Sequence, residues 1–142
     1  MECPKGNLFD KLYSKLDEIA GLEAPLRSNN IYVKMAARKK LREDVREAAK
    51  LCKCLLEAIE KQDVCGHSFE DYKSLIEDKA RGLVRVAEAA GVDLGKGALI
   101  RSREVILTLG EMIFGYVACS KVAPLVRDLC NLLEIFSMAL GG

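Results

Sequence analysis

The chain has 142 residues, one histidine, no tryptophan and a formal net charge of +1. Its length suits one domain, taken as 1–142, with enough chain to bury a real core. Half of the residues are apolar and 30% are charged, which excludes global disorder; with so small a net charge, any nucleic-acid role must rest on local charge distribution.

The opening residues Met1 to Gly6 contain no apolar stretch and do not form a signal peptide. The chain therefore reads as cytoplasmic, and its six cysteines, Cys3, Cys52, Cys54, Cys65, Cys119 and Cys130, as mostly reduced, buried thiols. A single glutamine and abundant Lys, Arg and Glu also give a thermophile-like composition, the setting in which cytosolic disulfides do occur.

Apolar residues recur at helical intervals almost throughout, so the expected fold is all-α, a single-domain bundle of about five helices without strands. Asn7 caps a first helix with the apolar line Phe9, Leu12, Leu16 and Ile19, stopped by Gly21. Residues Leu22 to Arg27, with Pro25, turn the chain.

A long helix then opens at Ser28 or Asn29 and runs to about Gln62. Its second half carries a heptad-like seam, Leu41, Val45, Ala48, Cys52, Leu55 and Ile59. Extended backwards, the seam meets Arg38 and Lys34, so the helix is expected to bend near 38–41 or to project its first turns beyond the bundle. This helix also carries a basic ladder, Lys34, Arg38, Arg42, Arg46 and Lys50, at four-residue spacing, with Lys39 and Lys40 beside it. Like charges so placed repel unless something negative lies near. Residues 28–54 hold eight basic and three acidic side chains, and residues 55–93 hold five and nine, so the two segments can neutralise one another by packing side by side. Residues four apart drift about 40° per step, which makes the ladder a winding stripe whose upper part, Lys34 to Arg42, is expected to be free.

Asp63 to His67 makes a turn, and Ser68 with Asp71 forms a capping box for a third helix ending at Gly91, with Phe69, Tyr72, Ile76, Leu83, Ala87 and Ala90 inward. After a loop from Val92 to Gly97, a fourth helix is expected from about Ala98 to Cys119, apolar almost all round, with a narrow polar face of Arg101, Glu104, Thr108 and Glu111. Such a helix is mostly buried, in the bundle or in an oligomer interface. Glu104 and Glu111 interrupt it too often for a membrane span. Ser120 caps a fifth helix with Pro124 in its first turn and Leu125, Leu129, Leu132, Phe136 and Leu140 along its core face.

Patterns that carry chemistry fail one by one. Cys52-Lys53-Cys54 and Cys65-Gly66-His67 offer zinc ligand types, yet on a helix Cys52 and Cys54 point about 200° apart and the spacing is not that of a zinc module. No Glu-x-x-His pair exists for a di-metal bundle, and His67, the lone histidine, has no nucleophile at a recognisable spacing. The run Gly91 to Gly97 has the outline of a phosphate loop but lacks its spacing and its Ser or Thr. Lys96, Arg101 and Arg103 cluster at a helix start, a weaker anion site, and Glu104 with Glu111 is a carboxylate pair without a pocket or metal. No catalytic residue, metal or cofactor is therefore assigned, and the chain is read as not an enzyme, with no small-molecule substrate identified.

The expected function is a non-catalytic helical interaction or assembly module, a small subunit of a larger complex or a homo-oligomer, with Ile31, Tyr32 and Met35 as exposed interaction residues. The alternative is sequence-independent binding of a nucleic-acid backbone through the basic stripe at residues 34–53, using Lys34, Arg38, Lys39, Lys40, Arg42, Arg46 and Lys50. A protein partner or self-association is expected, nucleic acid is the second choice, and no membrane is involved.

Overall fold

The computed structural model of the protein describes residues 3–94 and 105–141, and these form an all-α bundle. Four long helices build it: α1 (Leu8–Ala20), α3 (Ile31–Glu60), α4 (Phe69–Ala89) and α6 (Cys119–Ala139). Two short helices, α2 (Glu23–Leu26) and α5 (Leu109–Phe114), and two short strands, β1 (Val64–Cys65) and β2 (Val117–Ala118), complete the described elements.

Local chemistry sets most boundaries where the sequence marks them. The Asn7 side chain accepts from the Asp10 amide, Asn30 from those of Tyr32 and Val33, and Ser68 from that of Asp71. Each satisfies an N–H that the helix itself cannot. The long helix thus starts one to two residues later than expected. It is one uninterrupted helix of 30 residues, about 45 Å at 1.5 Å per residue. Its first six residues are exposed all round, so the failure of the core seam there reflects projection rather than a break. Pro25 does not merely turn the chain but lies within α2.

Inter-helix pairs fix the directions. Phe9 lies against Tyr72 and Asp17 against Lys79, so α1 and α4 run parallel. Cys3, just before α1, is bonded to Cys54 and Lys15 pairs with Glu47, while Lys53 pairs with Glu134 and Glu60 with Arg127, so α1 and α6 both run antiparallel to α3. Around the bundle the order is α1, α3, α6, α4, each packed on its two neighbours. The helices α3 and α4 therefore stand on a diagonal, and no ladder residue pairs with an acid of 55–93 among the described residues. Side-by-side neutralisation of those segments, which the charge counts allow, is not formed among the described residues.

The core lies along the inner faces, with Leu12, Leu41, Ile76, Leu83, Leu129 and Phe136 among its largest fully buried side chains. Two buried acids, Asp44 and Glu111, break the apolar interior. Asp44 receives Lys40 at 3.1 Å and Lys15 at 3.8 Å.

Residues 105–118 depart from the expected fourth helix. Residues 105–108 are not helical, α5 has only six residues, and β2 follows it. The apolar residues of this segment are not mostly buried, since Leu109, Met112, Ile113 and Phe114 are all exposed. The physical reason is local. Thr108 and Glu111 form a capping box that starts a new helix, and Gly115 at φ +68° ends it. Arg101, Glu104, Lys96 and Arg103, with the anion site and carboxylate pair built on them, lie outside the described residues.

The strands, unexpected from the sequence, form one antiparallel pair, Val64 opposite Ala118 and Cys65 opposite Val117. Two residues are too few to show a period of two. The last helix begins at Cys119 with Ala118 as its cap residue, not at Ser120, and Pro124 lies inside it.

Candidate interaction surfaces

The ladder has an internal use. None of α1, α4 or α6 carries a basic residue in its last turn, yet their parallel course gathers three helix C-termini, with their unpaired carbonyls and partial negative charge, at one end of the bundle. The N-terminal half of α3 passes that end. Arg38 Nη1 donates to the carbonyl of Ala90, the C-cap of α4, at 2.6 Å, and Arg42 Nε donates to that of Leu140, the C-cap of α6, at 3.1 Å. Lys40 is drawn to Asp44. Three members of the stripe expected to be free are thus engaged within the chain.

Lys34, Lys39, Arg46 and Lys50 remain exposed. On an ideal helix Arg46 and Lys50 lie within about 20° of Lys39 on either side, which makes a straight basic face with Glu43 at its edge, about 40° from Lys39. Lys53 lies nearby but pairs with Glu134 at 2.5 Å.

The expected interaction residues Ile31, Tyr32 and Met35 are exposed on the projecting first turns of α3, Tyr32 to 80%. Met35 also borders a shallow cavity of about 350 Å³ with Leu26, Lys34, Arg38 and Ala90. A larger apolar surface, unassigned from the sequence, lies on residues 106–114. Ile106 is 90% exposed, Phe114 74%, and Leu109, Met112 and Ile113 each exceed 60%.

This surface is held firmly from behind. The Glu111 carboxylate, 5% exposed, accepts from the backbone N–H of Thr108 at 2.9 Å and of Ala118 at 2.8 Å, and Lys121 forms an ion pair with it. The Lys121 ammonium first, then the two amides, hold its carboxyl well below the ordinary range, at about 2. The rings of Phe114 and Tyr116 stack at 6.5 Å. Tyr116 crosses Gly110 so closely that a Cβ there would stand 2.9 Å from its hydroxyl. The sequence signal for all this was present as Thr108-x-x-Glu111 with Gly115 beyond it; treating both polar residues as one face of a longer helix hid it.

The thiols are mostly oxidised, against expectation. Cys3 is bonded to Cys54, and Cys65 to Cys119, with Cα separations of 5.6 and 5.1 Å, well inside disulfide range. Partners 51 and 54 residues apart meet only through the tertiary fold, which the spacing of cysteines does not reveal. Only Cys52 and Cys130 are free, and both are buried. Cys52 donates to the Val126 carbonyl; its thiol is pushed far up, first by hydrogen bonding with Cys130 and then by burial. As an apolar-site thiol it is inert. Of the Cys52, Cys54, Cys65 and His67 zinc set, one sulfur faces the core and two are in disulfides, so the four do not converge. Among the described residues no group of three or more His, Cys, Asp or Glu is placed to hold a metal ion, and no helix is long and apolar enough to cross a membrane.

No protein-family model, curated protein or solved structure matches the chain.

Proposed function

We propose that the protein is a non-catalytic helical interaction module that associates with a second copy of itself through the apolar surface of residues 106–114. The observation that carries this reading is the α5 anchor. A nearly buried carboxylate with two amide donors and an ammonium fixes the polar side of a six-residue helix whose apolar side faces outward. A rigid apolar patch costs solvation unless a partner covers it. Among residues 105–118 the only charged side chain is Glu111, and it is already paired. A patch without charge of either sign has nothing to repel its own copy, which suits a two-fold, self-complementary contact.

A photo-crosslinking residue in place of Phe114 tests this reading. A covalent dimer joined within residues 105–116 of the second copy supports it. Absence of a dimer, or crosslinks scattered over the surface, contradicts it.

A second reading, backbone binding of nucleic acid, has one observation in its favour: Lys39, Arg46 and Lys50 share one exposed face and make no ion pair among the described residues. Its test is a gel shift in low salt with all three changed to Ala. Salt-sensitive binding that disappears in the triple variant supports it; unchanged binding removes it. Arg38 and Arg42 are unsuitable for this test, because their loss disturbs the bundle.

A further inference from the structure

A cavity of about 730 Å³ opens at the end of the bundle opposite the Arg38 and Arg42 caps, where α1 and α4 begin and α3 ends. Its volume falls in the range of small-molecule sites. Leu55 and Ile59 of α3 supply apolar floor, and Phe9, Tyr13 and Tyr72 supply rings. Phe9 lies 5.0 Å from Tyr72 at 39° and 5.8 Å from Tyr13 at 44°. His67 stands edge-on to Tyr72 at 5.6 Å. Tilted rings of this kind present several π-faces and edges instead of one flat stack.

The charged carboxylates of the lining are Asp10 and Asp71, each in the first turn of its helix, and no lysine or arginine stands in it. The Lys79 ammonium lies 5.9 Å from the ring centre of Tyr13, so the faces left to a ligand cation are those of Phe9 and Tyr72. Tyr13 borders the cavity, and its hydroxyl, buried away from solvent, has no hydrogen-bond partner among the described residues. Burial holds that phenol protonated, its ionisation moved well up from the ordinary value.

We propose that this cavity binds a small organic cation with an apolar body, an alkyl- or arylammonium. The apolar part lies against Leu55, Ile59 and the rings, and the ammonium faces Asp10, Asp71 and aromatic π-density. Carboxylates and ring quadrupoles both favour positive charge, and both disfavour an anion. This site is independent of self-association, since it shares no residue with 106–114.

Three probes of equal chain length separate charge from hydrophobicity: hexyltrimethylammonium, hexanol and hexanoate. They are titrated into the full chain by calorimetry and by NMR of the Gly66 and Ser74 amides, which line the cavity. The cation is expected to shift both amides and to bind about tenfold tighter than the alcohol, with no binding of the carboxylate. In the isosteric double variant Asp10→Asn/Asp71→Asn, whose backbone caps are retained, that preference falls to about parity while hexanol binding is unchanged. Equal binding of cation and alcohol by the native chain overturns the proposal, as does cation binding that moves neither amide, or no binding at all.

Discussion

The guanidinium of Arg38 donates to the carbonyl of Ala90, 52 residues away, at 2.6 Å. One helical turn further along, Arg42 does the same for Leu140. The four-residue step places the two arginines on one side of α3, and each reaches the C-cap of a different helix; α4 and α6 end there without a basic residue in their last turns. Two residues of the stretch expected to be free, Arg38 and Arg42, are thus helix caps supplied from a third helix, while Lys34 and Lys39 stay exposed beside them.

Replacing Arg38 or Arg42 by Met is expected to destabilise the fold by about 1 kcal/mol each, the scale of a charge-assisted hydrogen bond at a helix C-terminus discounted for exposure. Lys39→Met, one residue away and without an ion pair, is expected to stay within about 0.5 kcal/mol. Urea unfolding of the three variants checks the contrast.

The disulfides are expected to protect the fold strongly. Each closes a loop of more than 50 residues, for which chain entropy gives about 4 kcal/mol. Alkylation in denaturant without reductant should label two cysteines, Cys52 and Cys130, and after reduction all six. Paired Cys65→Ser/Cys119→Ser should lower the thermal midpoint and free the β1–β2 pair. With these bridges in place, the expectation of mostly reduced thiols fails.

Glu111 gives a pH signature. Its folded pKa, about 2, lies below the ordinary 4.5, so its contribution is complete above about pH 4.5 and is lost as pH falls toward 2. Protection of the Ala118 amide, its exchange taken relative to the intrinsic rate at each pH, should therefore fall over that interval, and Glu111→Gln should show reduced protection already at neutral pH, by tenfold or so. An Ala118 amide equally protected in the variant would show that the anchor is not what holds α5.

Helix type and several helix ends were legible in the sequence because they are local. Asn7, Ser68, Gly21 and Gly91 act within one turn of themselves, and the seam from Leu41 to Ile59 is buried as its spacing requires. What failed was non-local or too short. The diagonal placement of α3 and α4, the disulfide partners and the use of Arg38 depend on how the helices assemble. The two-residue strands carry no period. The helix over 98–119 failed differently, because apolar residues at helical spacing need not face a core; those of α5 face outward. The aromatic cavity was invisible for the first reason, since Phe9, Leu55 and Tyr72 come from three helices.

Sedimentation equilibrium over a dilution series, comparing the native chain with Ile113→Ser/Phe114→Ser and with Tyr32→Ser as a surface control, tests self-association most directly. The account predicts a concentration-dependent dimer for the native chain and for Tyr32→Ser, and a monomer with unchanged helical circular dichroism for the double variant. A native chain that stays monomeric at every concentration, or a double variant that dimerises as the native chain does, would contradict it.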